Sequence, residues 1–367
     1  MKDKCMKNIT VIGTGRTARA MVAYLGKQGR AVTIYGRNKQ VLEDFADHGI
    51  EVTGFCQGHY YPQVEVQMKD AVKDAEIILV MTVASAHRSI AQQLAGNLQN
   101  GQCILIFNGN WGACEFYQIL QKELEEKQVI VAETGSMLFL ADYIGDKCHI
   151  KSVKKELAVA AIPAYAVWDI VKKMKFLFPQ LVPQSNVVET SFNNSNPIIH
   201  APLTLFNITR MEQGEDYYFY GEGATRSTIG FVERIDEERC AVMHAMGIKP
   251  QRCVDIINSF WPEKYEGLYD AIKNNKLYLS GKGPTTLNHR YLTEDLPFGI
   301  VPIALLGKEY KVSTPCVDNL LKCFEYLLNH DYQEDAPLIN RKFLQQILTM
   351  GNIYDNPQEH ESIFCKP

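Results

Sequence analysis

The sequence has no apolar stretch long enough to cross a bilayer, no C-x-x-C pair, no H-x-x-x-H pair and no excess of basic residues. A spanning helix needs roughly 20 consecutive apolar residues, so a transmembrane protein is not expected. The ten cysteines, from Cys5 to Cys365, stand singly and form no cluster with the nine histidines. Neither a zinc site nor a disulfide framework is therefore expected, and the thiols read as buried and reduced. Basic and acidic residues number 38 and 42, a net charge of −4 that points to neither nucleic acid nor an anionic membrane. The opening "MKDKCMKNITVIGTG" runs from a short strand straight into a Gly-rich turn, unlike a signal peptide, so a cytoplasmic protein is expected. Two further absences are local. No acid lies between Tyr35 and Glu43, and no lysine lies from Val182 through Asn207.

What is present is ordinary globular material. Hydrophobic residues at 46% and charged residues at 22% supply ample core, and 367 residues at roughly 100–200 per domain suggest two domains. Residues 8–13, "NITVIG", read as a buried strand, followed by "GTGRTA", a helical apolar pattern and a second strand, "AVTIY", from Ala31. In this G-x-G-x-x-A pattern Gly13 allows the tight turn and Gly15 lets a pyrophosphate approach the backbone. Thr14, Arg16 and Thr17 line the turn, and Ala18 lets the helix pack closely on the sheet. The free N–H groups at the helix start then face the phosphates. Apolar runs at 75–83, 103–109 and 128–134 read as further parallel strands with helices at 86–97 and 113–124 between them. Their ends deliver Thr82, Asn108, Glu133 and Thr134 to one edge. After the second strand an NAD site usually has an acid for the ribose 2′-hydroxyl, whereas here "IYGRNKQ" offers Arg37 and Lys39. A guanidinium suits a 2′-phosphate, so NADP(H) is expected ahead of NAD(H), which stays possible. The plain alternative is a solvated basic turn.

The pattern changes after "FPQLVPQSN". "NVVETSF" reads as one last strand-like run. Beyond it, helical patterns lie at 197–213, 226–246, 250–260, 315–329 and 340–349, interrupted by a marked loop over 266–299 and a turn around Gly307. The expected architecture is an α/β doubly wound domain over 1–184 followed by an all-α domain over 185–367, with a cleft between them. Cofactor groups come before residue 140 and proton-transfer groups after residue 195. His200 stands in the apolar run after Pro197. A histidine there is commonly a satisfied core residue, but many dehydrogenases of this architecture carry a lysine on the equivalent helix. An imidazole near neutral pH can both give and take a proton. Asn196 is four residues earlier and shares its face unless it caps the helix. Glu294 and Asp295 supply a carboxylate that could orient the imidazole. Arg290 and Arg226 are candidate partners for substrate carboxylates, and both also fit structural ion pairs. His87 follows a strand end and could border the nicotinamide, although a structural or supporting role is the first reading.

The segments "GTGRTA", "VAETGSMLF", "VVETSFNNSNPIIHAP" and "NHRYLTEDLPFGIVPIALLGK" occur in that order. Together they resemble the signature segments of the octopine/nopaline (opine) dehydrogenase family, over about residues 7–325. The resemblance implies a Rossmann domain plus an all-helical domain. It also implies reversible NAD(P)H-dependent reductive condensation of an amino acid with a 2-oxo acid. It assigns the catalytic histidine to His200, its aspartate to Asp295 and the nearby asparagine to Asn196. Leu138, after Met137, stands where many relatives carry proline, which leaves the loop shape and substrate size open. Two rivals remain: a ketopantoate reductase or glycerol-3-phosphate dehydrogenase type of 2-oxo or hydroxy acid reductase, and a non-catalytic NADP sensor. A homodimer is compatible with the sequence, which does not set the oligomeric state.

Overall fold

The computed structural model describes residues 8–353; Cys5, Cys365 and the outer ends of both expected domains lie outside the described residues. In chain order the strands are β1 (Ile9–Ile12), β2 (Val32–Tyr35), β3 (Ile50–Gly54), β4 (Gly58–Tyr60), β5 (Gln63–Glu65) and β6 (Ile77–Val80). They continue with β7 (Cys103–Ile106), β8 (Ile130–Thr134), β9 (Phe139–Ile144), β10 (Lys147–Val153), β11 (Leu157–Ile162) and β12 (Leu181–Pro183). Eight of them form one sheet in the order β12-β11-β8-β7-β6-β1-β2-β5. β1 lies between β2 and β6, pairing parallel with both. β1, β6 and β7 are buried along their whole length, as strands covered on both faces must be. The chain leaves β1 toward β2 on one side and returns to β6 on the other. This is the switch point outside whose carboxyl ends ligands bind in such sheets. β8 and β11 pair antiparallel, so the sheet is mixed.

A second sheet, β4-β3-β10-β9, lies against the helix Arg16–Lys27 and departs from the single expected sheet. Its strands are half exposed, so they lack the unbroken apolar runs that mark the central strands. One local signal was available. Gly145 takes φ +63° in the turn between β9 and β10, where Gly-Asp closes a two-residue hairpin.

The remainder is helical, as expected, with three corrections. "NVVETSF" is a helix, Val187–Phe192, not a strand. Asn186 accepts from Glu189 N at 2.9 Å and the Glu189 carboxylate accepts from Ser185 N at 3.0 Å, so capping outweighs the β propensity of the two valines. The expected loop over 266–299 contains the helices Leu268–Lys273, Lys276–Leu279 and Arg290–Thr293 and enters a π-helical turn, Leu296–Ile300. Gly307 sits inside the helix Val301–Tyr310, not in a turn. The buried helix Ser195–Phe206 runs through the middle of this half, capped by Asn194, whose side chain accepts from Asn196 N. Asn196 is thus within the first turn and is not the cap. Of the cysteines, Cys323 is exposed and Cys316 half-exposed, so the thiols are not uniformly buried.

The two halves are fastened at the end of β7. Asn108, Asn110 and Trp111 all take positive φ, at 56°, 44° and 70°. Non-glycine residues held there cost roughly 1–3 kcal/mol each, so the surroundings must over-determine them. They do. Asn194 Nδ2 donates to Asn108 Oδ1 at 3.0 Å and to Asn110 Oδ1 at 2.6 Å. Trp111 N donates to Ser191 Oγ at 2.9 Å and Trp111 Nε1 to Phe298 O at 3.1 Å. Beside this turn the fully buried Glu133 accepts from Thr190 Oγ1 at 2.9 Å and from Ser191 Oγ and Ala113 N.

Burial pushes the Glu133 carboxyl from 4.5 up to about 7, with the bonds from Ser191, Ala113 and Thr190 opposing the rise. The folded protein therefore holds a proton that the unfolded chain releases between these two values. Its contribution to stability is full below pH 4.5 and is lost as pH rises through 7. Glu133→Gln cannot titrate. Melting temperature measured from pH 5 to 8 is expected to fall less in the variant than in the parent; parallel pH profiles would count against this account.

Candidate active site

Three adjoining hollows form one groove from the sheet edge into the helical half. The first is lined by Gly13, Thr14, Gly36, Arg37, Asn38 and Thr82. The second shares Gly13, Thr14 and Thr82 and adds Gly15, Arg16, Thr17, Asn108, Met137, Arg290 and Glu294. The third shares Arg16, Thr17, Met137 and Arg290, and reaches Asn196, His200, Tyr220 and Tyr291.

The first two hollows suit a dinucleotide. Gly13 takes φ +130° and a Cβ there would sit 2.5 Å from Met81 O, so no other residue fits. A Cβ on Gly15 would meet nothing within 4 Å, leaving an open approach to the start of the helix Arg16–Lys27. No side chain caps that start, so its N–H groups face the groove. Ala18 is fully buried against the sheet. Arg16 pairs with Asp142 at 3.2 Å. Thr82 Oγ1 is buried without a hydrogen-bond partner among the described residues, where the first two hollows meet. Arg37 is exposed at the outer hollow and makes no ion pair among the described residues.

In the third hollow His200 is held by both nitrogens. Nδ1 lies 2.7 Å from Asp295 Oδ2 and Nε2 lies 2.8 Å from Tyr220 OH. Asp295 is fully buried and His200 nearly so. Burial drives the Tyr220 phenol well above its usual value of 10, so its hydroxyl stays protonated and donates. Nε2 is then the acceptor and Nδ1–H the donor to Asp295, which assigns the tautomer. Burial also lowers the His200 pKa below 6.5, against the raising effect of Asp295, and Arg290 adds to the fall. The resting imidazole is neutral, with its lone pair on the cavity side. Tyr291 stacks on the ring at 4.0 Å between centroids and fixes its plane.

Glu294 and Asp295 are not a solvated loop pair, as both are buried where the helix Arg290–Thr293 meets the π-helical turn. Glu294 Oε1 accepts from Ala84 N at 3.2 Å and its carboxylate lies 3.4 Å from Arg290. Burial raises the Glu294 pKa, and Arg290 opposes this. The structure thus brings Asn196, His200, Asp295 and Arg290 together at one cavity. It does not bring Arg226 there. Arg226 is exposed and lies over the Tyr269 ring at 4.3 Å, outside all three hollows, so it is no candidate for a substrate carboxylate. His87 is also outside the groove. It is fully buried edge-on to Phe116, with its pKa lowered to about 4 by burial. The sequence reading missed Tyr220 and Tyr291. The first lies in the aromatic run "YYFYG" and the second follows Arg290 directly, but neither position obeys a spacing rule that would single it out.

Fold and groove together define a two-domain nicotinamide-dependent oxidoreductase. Residues 183–328 match the model of the NAD/NADP octopine/nopaline dehydrogenase alpha-helical domain, and residues 9–142 match that of ketopantoate reductase PanE/ApbA. The chain is 29% identical over 350 residues to an opine dehydrogenase of Arthrobacter sp. (strain 1C), covering 94% of this chain and 97% of that protein. It is 24% identical over 269 residues to a vitopine synthase of Allorhizobium ampelinum, covering 72% of this chain and 74% of that one. Among solved structures, octopine dehydrogenase in complex with NADH and agmatine superposes with a TM-score of 0.71 at 18% identity, over 94% of this chain and 96% of that one. NADP+-bound yersinopine dehydrogenase gives 0.70 at 14% identity, over 94% and 97%. Residues 183–328 thus match the helical domain of the octopine/nopaline dehydrogenases, the whole chain is similar to an opine dehydrogenase, and the protein is an opine dehydrogenase-type enzyme.

The two-handed hold on His200 has a spectroscopic consequence. In protein labelled with ¹⁵N histidine, the His200 ring is expected to stay neutral at pH 6.5 and to protonate only below it. Asp295→Asn removes the group that favours the charged ring, so the titration should move lower still. A His200 signal titrating above pH 6.5, or an upward shift in Asp295→Asn, would contradict the assignment.

Proposed function

We propose that the third hollow condenses the amino group of an amino acid with a 2-oxo acid, and that His200, oriented by Asp295, moves the protons. The observation that carries this reading is His200 held between Asp295 and Tyr220 on the wall of a cavity that opens onto the nucleotide groove. The cofactor, when bound, supplies or accepts the hydride. As the C–N bond forms, the amino acid's ammonium gives up two protons in turn; Nε2, reached through the Tyr220 hydroxyl it faces, carries each to the carbonyl oxygen, which departs as water and leaves an iminium to take the hydride. Asp295 stabilises the imidazolium in between. Arg290, at the mouth shared by the second and third hollows, is the cation for the oxo-acid carboxylate, while Asn196 offers an amide beside it. Gly13–Ala18 and Thr82 form the dinucleotide cradle, with Arg37 at the 2′ position favouring NADP(H). The first half up to about residue 184 binds cofactor and the second half carries the proton-transfer groups.

A 2-oxo acid reductase of the ketopantoate reductase type is the nearest competitor, because the first half matches that family model. That half is the cofactor cradle, however, and the buried central helix offers His200 and no lysine. NADPH oxidation with a 2-oxo acid is therefore expected to require an added amino acid; equal rates without one would sink the reading.

Because Asp295 is fully buried, removing the whole imidazole would leave its carboxylate unpaired, a loss of roughly 3–5 kcal/mol. His200→Asn keeps a donor toward Asp295 and is the better variant. Turnover is expected to fall by ~10²–10⁴-fold with little change in NADPH affinity. Full activity in the folded variant would remove His200 from the chemistry. Arg37→Ala should weaken NADPH binding roughly 10- to 100-fold, the value of a charge-assisted bond, and leave NADH binding unchanged. Equal losses for both cofactors would assign Arg37 to the solvated turn.

A further inference from the structure

The segment 213–225, "QGEDYYFYGEGAT", carries Tyr220 and is broken by three glycines, so it forms no helix that would satisfy its own carbonyls. Its shape is set at a few points. Phe219 N donates to Gly281 O at 2.9 Å and Gly283 N donates to Tyr217 O at 2.8 Å, which ties the segment to the stretch after the helix Lys276–Leu279. Glu222 N and Gly223 N both donate to Tyr218 O, at 2.8 and 3.1 Å, and close a tight turn around Tyr220. Only glycine fits at 223, where a Cβ would lie 2.5 Å from Phe219 O. Three carbonyls of this turn, those of Tyr220, Gly221 and Ala224, take no backbone N–H among the described residues.

All three accept instead from one side chain. Lys273 Nζ lies 2.5 Å from Gly221 O, 3.2 Å from Ala224 O and 3.5 Å from Tyr220 O. An ammonium has three donors, and the stretch 220–224 takes them all. Lys273 ends the helix Leu268–Lys273, whose Leu268, Ala271 and Ile272 are buried, so the ammonium stands on a fixed support. Carbonyl dipoles aimed at one point repel each other, and a cation between them makes the arrangement favourable. From the same residue the Tyr220 hydroxyl meets His200 Nε2 at 2.8 Å. The Tyr220 ring lies edge-on to Phe219 at 5.1 Å and tilted against Tyr278 at 5.2 Å. Ring contacts of this kind tolerate a slide along the ring axis, whereas a hydrogen bond does not. The reach of the hydroxyl is therefore set by the backbone at 220, and that backbone by Lys273.

We propose that Lys273 is a positioning residue for the reaction: by drawing these carbonyls together it holds the Tyr220 hydroxyl at hydrogen-bond distance from His200 Nε2. This rests on the reading of Tyr220 as the proton path to His200, and two readouts separate the proposal from that reading. Lys273→Met keeps the apolar stem and removes the charge and the donors. Turnover with NADPH, an amino acid and a 2-oxo acid should fall roughly 10- to 100-fold with KM values near those of the parent, the effect of misplacing a reacting group by about 1 Å. In a Tyr220→Phe background no hydroxyl remains to be placed, so adding Lys273→Met should change turnover by less than about 2-fold. In protein labelled with ¹⁵N histidine, the His200 Nε2 resonance should move in Lys273→Met in the same sense as in Tyr220→Phe, because both lose the same hydrogen bond. A lysine that only stabilises the fold predicts a lower melting temperature and no more. An unmoved Nε2 resonance, undiminished turnover in the folded variant, or equal losses in the two backgrounds each overturns the proposal. If Lys273→Met does not fold, Lys273→Gln, which keeps uncharged N–H donors, is read against the same outcomes. A parent that oxidises NADPH with no amino acid and 2-oxo acid strikes the functional reading, and the Nε2 resonance then still decides whether Lys273 places the hydroxyl.

Discussion

The bond from His200 Nδ1 to Asp295 joins residues 95 apart in the chain, and much of the helical half serves to close that distance. His200 is fixed by a buried central helix and Asp295 by the entry to a π-helical turn. The two supports meet where Gly299 packs on Pro197, so closely that a Cβ on Gly299 would lie 2.1 Å from Pro197 Cβ. Any side chain at Gly299 would push the turn away from the helix and lengthen the bond. The π-helical turn itself is of the kind that recurs at functional sites, where a regular helix would aim a side chain differently.

Charge in the site is organised by burial more than by pairing. Desolvation lowers His200 and raises Glu294 and Tyr220, leaving each closer to its neutral form at pH 7. A neutral imidazole facing a protonated phenol is a resting state able to accept a proton without first losing one. Arg290 stays charged because Glu294 and Asp295 hold it so against burial. The cavity therefore keeps cations for carboxylates while holding its proton carrier uncharged.

Much of this was legible in the sequence, for reasons specific to each element. The central strands are buried on both faces and show as unbroken apolar runs, and the glycine pattern between β1 and its helix has a steric meaning that Gly13 bears out. His200 stood out because it interrupts an apolar helix. Tyr220 did not, because it meets His200 across 20 residues, a contact that only the fold creates. The second sheet escaped notice since its strands are half exposed and show no unbroken apolar run. "NVVETSF" misled because two valines speak for a strand, while the deciding contacts are made by the flanking Asn186, Ser185 and Glu189. Arg290, the better placed of the two arginines in sequence, lines the cavity beside Glu294, whereas Arg226 lies outside it over Tyr269.

The strained turn at Asn108–Trp111 bears on modularity. Its hydrogen bonds run from a strand of the nucleotide half to the cap, helix and π-helical turn of the other, and one apolar cluster includes Ile106 and Trp111 together with Val187, Ile198 and Ile300. A cut near residue 184 would strip the turn of the partners that hold it and bare that shared interior. Two domains by topology are here a single cooperative unit. The nucleotide half could be exchanged between relatives only if the new partner kept the Asn194, Ser191 and Phe298 contacts to this turn.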